Sequence, residues 1–135
     1  MSHRIYYFET LEIYRIANQL ARLIGAIGAS LDDRHERKLR GLIAGCMNMT
    51  MAIAAANAEV GAEDPMSLEE RMCFSHLAFD GADQLRRGLR RLQKNRLGSQ
   101  SHVTAALELL ERMDAGLAEN AALLKSGFVP GQSYH

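Results

Sequence analysis

The sequence predicts an all-α protein, an antiparallel up-down-up-down four-helix bundle. Three observations carry this. Apolar residues recur at spacings of three and four in four separate stretches, and no stretch alternates with the period of a strand. Only two prolines interrupt 135 residues, so little stops a long helix. The breaks between the stretches are short, roughly 4 to 8 residues, which favours antiparallel neighbours. The length fits one domain. It divides into an N-terminal extension over 1–7, the bundle over 8–125 and a flexible tail over 126–135.

The first helix is expected over 8–27. Leu11, Tyr14, Ala17, Leu20, Ala21, Ile24 and Ile27 form its apolar stripe, and Gly25 and Gly28 weaken its end. The second is expected over 33–60. Asp32 and Asp33 suit a first turn, Leu39, Leu42, Ile43, Cys46, Met47, Thr50, Ile53, Ala54 and Ala58 make the apolar face, and Gly61 fits a stop.

The third helix begins with the clearest local signal. After Pro65, Ser67-Leu-Glu-Glu70 has the spacing of a capping box, in which the hydroxyl and the carboxylate satisfy each other's backbone N–H groups. Its stripe runs through Met72, Cys73, Leu77, Ala78, Ala82, Leu85, Leu89 and Leu92 to about Asn95, and Gly98 punctuates. The fourth follows Ser99-Gln-Ser101 and runs to about Lys125, with Leu107, Leu110, Met113, Leu117, Ala121 and Leu124 inward and Gly127 and Pro130 closing it.

Glycine inside a helix costs about 1 kcal/mol relative to alanine, so its placement calls for a reason. Gly41 and Gly45 are four apart, and Gly81 and Gly88 one heptad apart. Either two helices approach closely within the bundle, or the small residues serve contacts between subunits. Tyr6, Tyr7, Phe8, Ile13, Ile16 and Leu23 add apolar surface to the first helix beyond its main stripe, which favours contacts between subunits.

Sixteen basic and sixteen acidic residues give no net charge, which excludes a uniformly basic nucleic-acid binder. The distribution is uneven. Ten of the 16 basic residues lie in two segments: Arg34, Arg37, Lys38 and Arg40 open the second helix, and Arg86, Arg87, Arg90, Arg91, Lys94 and Arg96 close the third. If these helices are antiparallel, both segments share one end of the bundle. Glu59, Glu63, Asp64, Glu69 and Glu70 then lie at the other. Arg37, Lys38, Arg40, Arg86, Arg87, Arg90, Arg91 and Lys94 are the expected surface for RNA or DNA phosphates. No aromatic residue is interleaved with them, so backbone contact rather than base stacking is the expected mode.

No HExxH and no paired ExxH occur, and Cys46 and Cys73 form neither a metal pattern nor a disulfide framework. No metal, no cofactor and no catalytic residue are expected. The cysteines read as buried small side chains in a reducing compartment. The first fifteen residues hold scattered charges rather than an apolar leader, and no apolar run approaches the roughly 18 residues of a membrane span, so the expected location is the cytoplasm, with no membrane partner. Two alternatives exist: a protein–protein adaptor that oligomerises without binding nucleic acid, and an enzyme. Arg71 and His76 have the R-x4-H spacing of HEPN ribonucleases, in which the two side chains act on an RNA phosphate and its 2′-hydroxyl. Positions five apart on a helix point about 140° away from each other. The plainer reading puts Arg71 at the surface and His76 at a packed boundary.

Phe8-Glu-Thr-Leu-Glu-Ile-Tyr-Arg-Ile-Ala-Asn-Gln-Leu-Ala21, Ser67-Leu-Glu-Glu-Arg-Met-Cys-Phe-Ser-His-Leu-Ala78 and Asp83-Gln-Leu85 resemble the four-helix-bundle proteins encoded in intervening sequences of large-subunit ribosomal RNA genes. Leu85-Arg-Arg-Gly-Leu-Arg-Arg-Leu92 and Leu107-Glu-Leu-Leu-Glu111 are similar to the accessory variability protein of diversity-generating retroelements, a relative with the same fold. The resemblance covers nearly all of 8–125. It implies a non-enzymatic bundle that assembles into a ring, typically a homopentamer, and in the retroelement branch a nucleic-acid-binding partner of a reverse transcriptase.

Overall fold

The computed structural model describes residues 11–58 and 66–127. Four helices follow in order: α1 (Glu12–Ser30), α2 (Glu36–Ala56), α3 (Leu68–Asn95) and α4 (Gln100–Lys125), with a short 3-10 turn, Asp33–His35, ahead of α2. No strand occurs among the described residues. The expected start of the first helix at Phe8, the extension over 1–7, Gly61, the linker carboxylates Glu59, Glu63 and Asp64, and the tail from Phe128 lie outside the described residues.

Each helix packs on its two neighbours in the ring order α1, α2, α3, α4, and the diagonal helices make no close backbone approach. Every neighbouring pair is antiparallel. Leu39 meets Gly28, Met49 meets Gly81, Leu42 meets Gly88, Arg86 pairs with Asp114 across α3 and α4, and Arg112 pairs with Glu12 across α4 and α1. The up-down-up-down bundle is therefore present as expected.

The local signals act as their chemistry dictates. Ser67 Oγ accepts from the Glu70 N–H at 3.1 Å, and Glu70 Oε1 accepts from the Ser67 N–H at 3.3 Å, completing the capping box. Asp32 Oδ1 accepts from the Arg34 N–H at 3.0 Å and turns the chain into α2. At the end of α3 the stop falls on Arg96, whose φ of 53° is left-handed, so the Leu97 N–H can reach the Leu92 carbonyl at 2.9 Å. Gln100 closes the same corner, its Nε2 donating to the Leu97 carbonyl at 2.8 Å. The α1 helix runs past Gly28 to Ser30, because burial of Ile27 outweighs the weak helix propensity of one glycine. The α2 helix stops at Ala56 instead of residue 60, because the Asn57 side chain is held by other partners.

The core is built from Leu20, Ile27, Met49, Leu85, Leu89, Leu110 and Met113, all fully buried. It departs from the expected stripes at particular places. Ile13 and Ile16 lie in the core, so they supply none of the surplus surface expected of the first helix, while Ala21 is exposed. Cys73 is exposed and Cys46 buried, and burial pushes the Cys46 thiol up. Ile43, Met47 and Leu77 face outward; Met49, Ala52 and Ala56 take the inward positions on α2. Most of the exposed apolar surface therefore belongs to α2 and α3, with Leu123 added by α4.

Two of the glycines serve close packing inside the bundle. A Cβ on Gly81 would lie 2.7 Å from the Met49 backbone nitrogen, and one on Gly45 3.2 Å from that of Leu85. These two let α2 and α3 approach backbone to backbone inside one bundle. Gly41 has open space around it.

By length and composition, residues 33–56 make one helical run that could cross a membrane, with a mean hydropathy of 1.4 over its window. This differs from the expectation that no run approaches that length. The inward side of the run is the core side of α2.

Candidate nucleic-acid interface

Antiparallel packing of α2 on α3 brings the first turns of α2 level with the last turns of α3. Arg37, Lys38 and Gly41 from α2 and Gln84, Arg87, Gly88 and Arg91 from α3 line a cleft of about 560 Å³. Two glycines shape the cleft, Gly88 by admitting the Leu42 side chain and Gly41 by leaving one side open. A Cβ on Gly88 would meet the Leu42 Cδ2 at 2.7 Å, and Gly41 leaves its side open. Four cations thus flank a narrow trough with no aromatic side chain in its lining.

The structure divides the ten basic residues of this end. Arg34 is held by Asp32 at 3.0 Å, and the guanidinium keeps that carboxyl below the ordinary aspartate range. Arg40 pairs with Glu36 one turn earlier at 2.8 Å, with both side chains largely in solvent. Arg86 lies apart from the expected surface: its side chain is 17% exposed and is tied to Asp83 and to Asp114, joining α3 to α4. Arg37, Lys38, Arg87, Arg90, Arg91, Lys94 and Arg96 have no ion-pair partner among the described residues and are exposed. Of these, Arg37, Lys38, Arg87 and Arg91 converge on the cleft; Arg90, Lys94 and Arg96 lie outside its lining.

Only Asp32, Asp33 and Glu36 carry negative charge in the described segments 24–40 and 86–107, and two of them are engaged by Arg34 and Arg40. The cleft cations make no ion pair among the described residues, although Asp80 and Asp83 stand within two turns of Arg87 on α3, with Asp83 engaged by Arg86. An anion entering the trough meets like charges that already repel one another, so its binding relieves repulsion as well as adding attraction.

The opposite end holds a polar cluster that the sequence reading missed. Asn57 and Asn120 are buried and exchange two hydrogen bonds, Asn57 Nδ2 to Asn120 Oδ1 at 3.0 Å and Asn120 Nδ2 to Asn57 Oδ1 at 2.8 Å. Asn57 Nδ2 also donates to the Ile53 carbonyl at 3.0 Å. Arg71 is buried beside them, and its Nη1 donates to the Ala56 carbonyl at 2.8 Å, at the negative end of the α2 dipole. Burial lowers the Arg71 pKa from its ordinary value, by desolvation of the charged form.

This reverses the expected placement of the R-x4-H pair. Arg71 is inside and His76 is exposed, so the two face different surroundings. Arg71 falls inside because it continues the α3 stripe of Ser75, Ala78, Ala82 and Leu85 backward by one turn. No cluster of three or more metal-ligating side chains occurs among the described residues. No protein-family model, no curated protein and no solved structure matches the chain.

Proposed function

We propose that the protein is a non-enzymatic helical-bundle scaffold that binds the phosphate backbone of nucleic acid through its basic end. The observation that carries this is the convergence of Arg37, Lys38, Arg87 and Arg91, from two distant stretches of chain, on one cleft without carboxylate partners among the described residues. Backbone contact supplies affinity without sequence readout, in keeping with a lining that offers cations and no stacking platform. The resemblance to retroelement accessory proteins extends the proposal to self-assembly, as a homopentameric ring in that family, and to a reverse transcriptase as the enzyme partner.

The test is a mobility shift with a single-stranded RNA and a duplex DNA at low salt, followed by a salt series. Four cation–phosphate contacts predict a log–log slope of about −3 to −4. Replacing Arg37, Lys38, Arg87 and Arg91 with Glu should reduce affinity at least about tenfold at low salt. Absence of binding by the unaltered protein, or equal binding by the fourfold variant, overturns the proposal.

A further inference from the structure

Between the middle turns of α2 and α3 lies a second groove, of about 480 Å³. Its floor is made of Ala52, Ala55 and Gly81, small residues where the two helices run backbone to backbone. Its rims are long side chains: Met51, 66% exposed, on α2, and Phe74 and Leu77, the latter 51% exposed, on α3. The lining is amphipathic, because Asn48, Asp80 and Gln84 complete it. A low floor between raised rims, running along two helices, has the shape that takes a third helix. An exposed methionine suits such a seat, since its unbranched side chain adapts to what lies on it.

The polar groups indicate what that helix carries. Asp80 holds the only charge in the lining. Neither its carboxylate nor the Asn48 side chain has a hydrogen-bond or ion-pair partner among the described residues. From Gly41 to Ala58 the sequence offers no charged residue that could serve as one. The register orders these groups along the groove. Gly81 lies against Met49 and Gly45 against Leu85, so Ala55 is level with residue 75 and Met51 with residue 79. The apolar rim of Ala55, Phe74 and Leu77 thus fills one end. Asn48, Asp80 and Gln84 fill the other, which adjoins the basic cleft. The ten residues from Phe74 to Gln84 span about 15 Å, nearly three helical turns.

We propose that this groove seats an amphipathic helix of a partner protein, with apolar residues i and i+4 over Met51, Phe74 and Leu77 and a Lys or Arg at i+7 beside Asp80. The seated helix runs parallel to α3, so the negative end of its dipole points at the basic cleft. Its stripe closes on that one cation, because Arg87 stands seven residues, about 10 Å, beyond Asp80 and repels a second. The seat lies within a single chain, so a ring of subunits carries one per subunit. It uses none of Arg37, Lys38, Arg87 and Arg91; Gln84 alone lines both sites. A protein helix and a phosphate backbone therefore fit end to end along one seam, and the proposal stands apart from the phosphate-binding reading.

The experiment is a display selection against the full chain from a library of helical peptides about 20 residues long, then fluorescence anisotropy with the winning peptide. Winners should share apolar, apolar and basic residues at i, i+4 and i+7. Met51→Glu, at an exposed position that leaves the core untouched, should weaken the peptide at least about tenfold, and Leu77→Ser reads the same seat from α3. Asp80→Lys should weaken it about fivefold, and changing the peptide's basic residue to Glu should restore affinity for that variant. A selection without binders, winners lacking the basic residue, equal binding by Met51→Glu and Leu77→Ser, or failure of the charge swap overturns the proposal. An RNA mobility shift on Met51→Glu should match that of the unaltered protein; loss of RNA there overturns the separation of the two sites. Peptide binding by a parent that binds no RNA overturns the phosphate reading alone.

Discussion

The two ends of the bundle treat polar groups in opposite ways. At the end formed by the start of α2 and the close of α3, cations stand in solvent and most have no ion-pair partner among the described residues. At the other, Asn57 and Asn120 are taken into the interior and satisfy each other, and Arg71 donates from Nη1 to the Ala56 carbonyl while its buried Nη2 has no hydrogen-bond partner among the described residues. The difference follows from desolvation. A polar group removed from water costs free energy unless it finds a partner inside the protein, whereas an exposed charge keeps its hydration and can wait for a ligand. Stability should therefore depend on the buried end and binding on the exposed one.

The sharpest test of that division is Asn120→Leu. It leaves the Asn57 carbonyl oxygen buried without its donor, and the expected loss is about 2–3 kcal/mol in urea unfolding. Asn57→Leu added to it removes the orphaned group and should recover much of the loss, whereas simple addition of two penalties would break the comparison. Arg86 is the intermediate case, a basic-end residue drawn inward to Asp83 and Asp114. Arg86→Met should cost about 1 kcal/mol, more than an exposed pair and less than the asparagine pair. The smallest expected effect belongs to the cleft. Arg87→Glu with Arg91→Glu should change stability by less than about 0.5 kcal/mol, because neither side chain has an ion pair to lose and reversal relieves repulsion. A large drop in melting temperature for that variant would show that the cleft cations also hold the fold.

The fold was legible because its signals are local and redundant. The capping box of Ser67 and Glu70 marks the start of α3 on chemistry alone, and the three- and four-residue spacing of apolar residues marks every helix. The basic end was legible in outline, since antiparallel topology brings its two segments together. Its internal division was not, because whether Arg86 or Arg87 is free depends on which carboxylate of α4 lies opposite. Sequence reasoning missed the buried polar cluster by treating the stripe as purely apolar. Asn120 occupies an inward position between Leu117 and Leu124 that had been assigned to Ala121, and Arg71 and Ser75 extend the α3 stripe in the same way. The signal was available as uncharged or cationic residues in register with the stripe. Ile13 and Ile16 were misplaced for the converse reason: with two candidate apolar faces on one helix, only the neighbours decide which turns inward.

One small contact at the basic end governs how that end meets any anion. The Ser30 hydroxyl donates to the Ile27 carbonyl at 2.6 Å and accepts from the Ser99 N–H at 2.8 Å, so the close of α1 is stitched to the corner that follows α3. The last turn of α3, with Lys94 in it and Arg91 just before it, is thereby clamped between a neighbouring helix and its own stop. A polyanion arriving there encounters a frame already set, and only long side-chain tips remain to be immobilised. Less disorder is surrendered on contact, which makes the spacing of the cations a feature of the empty protein.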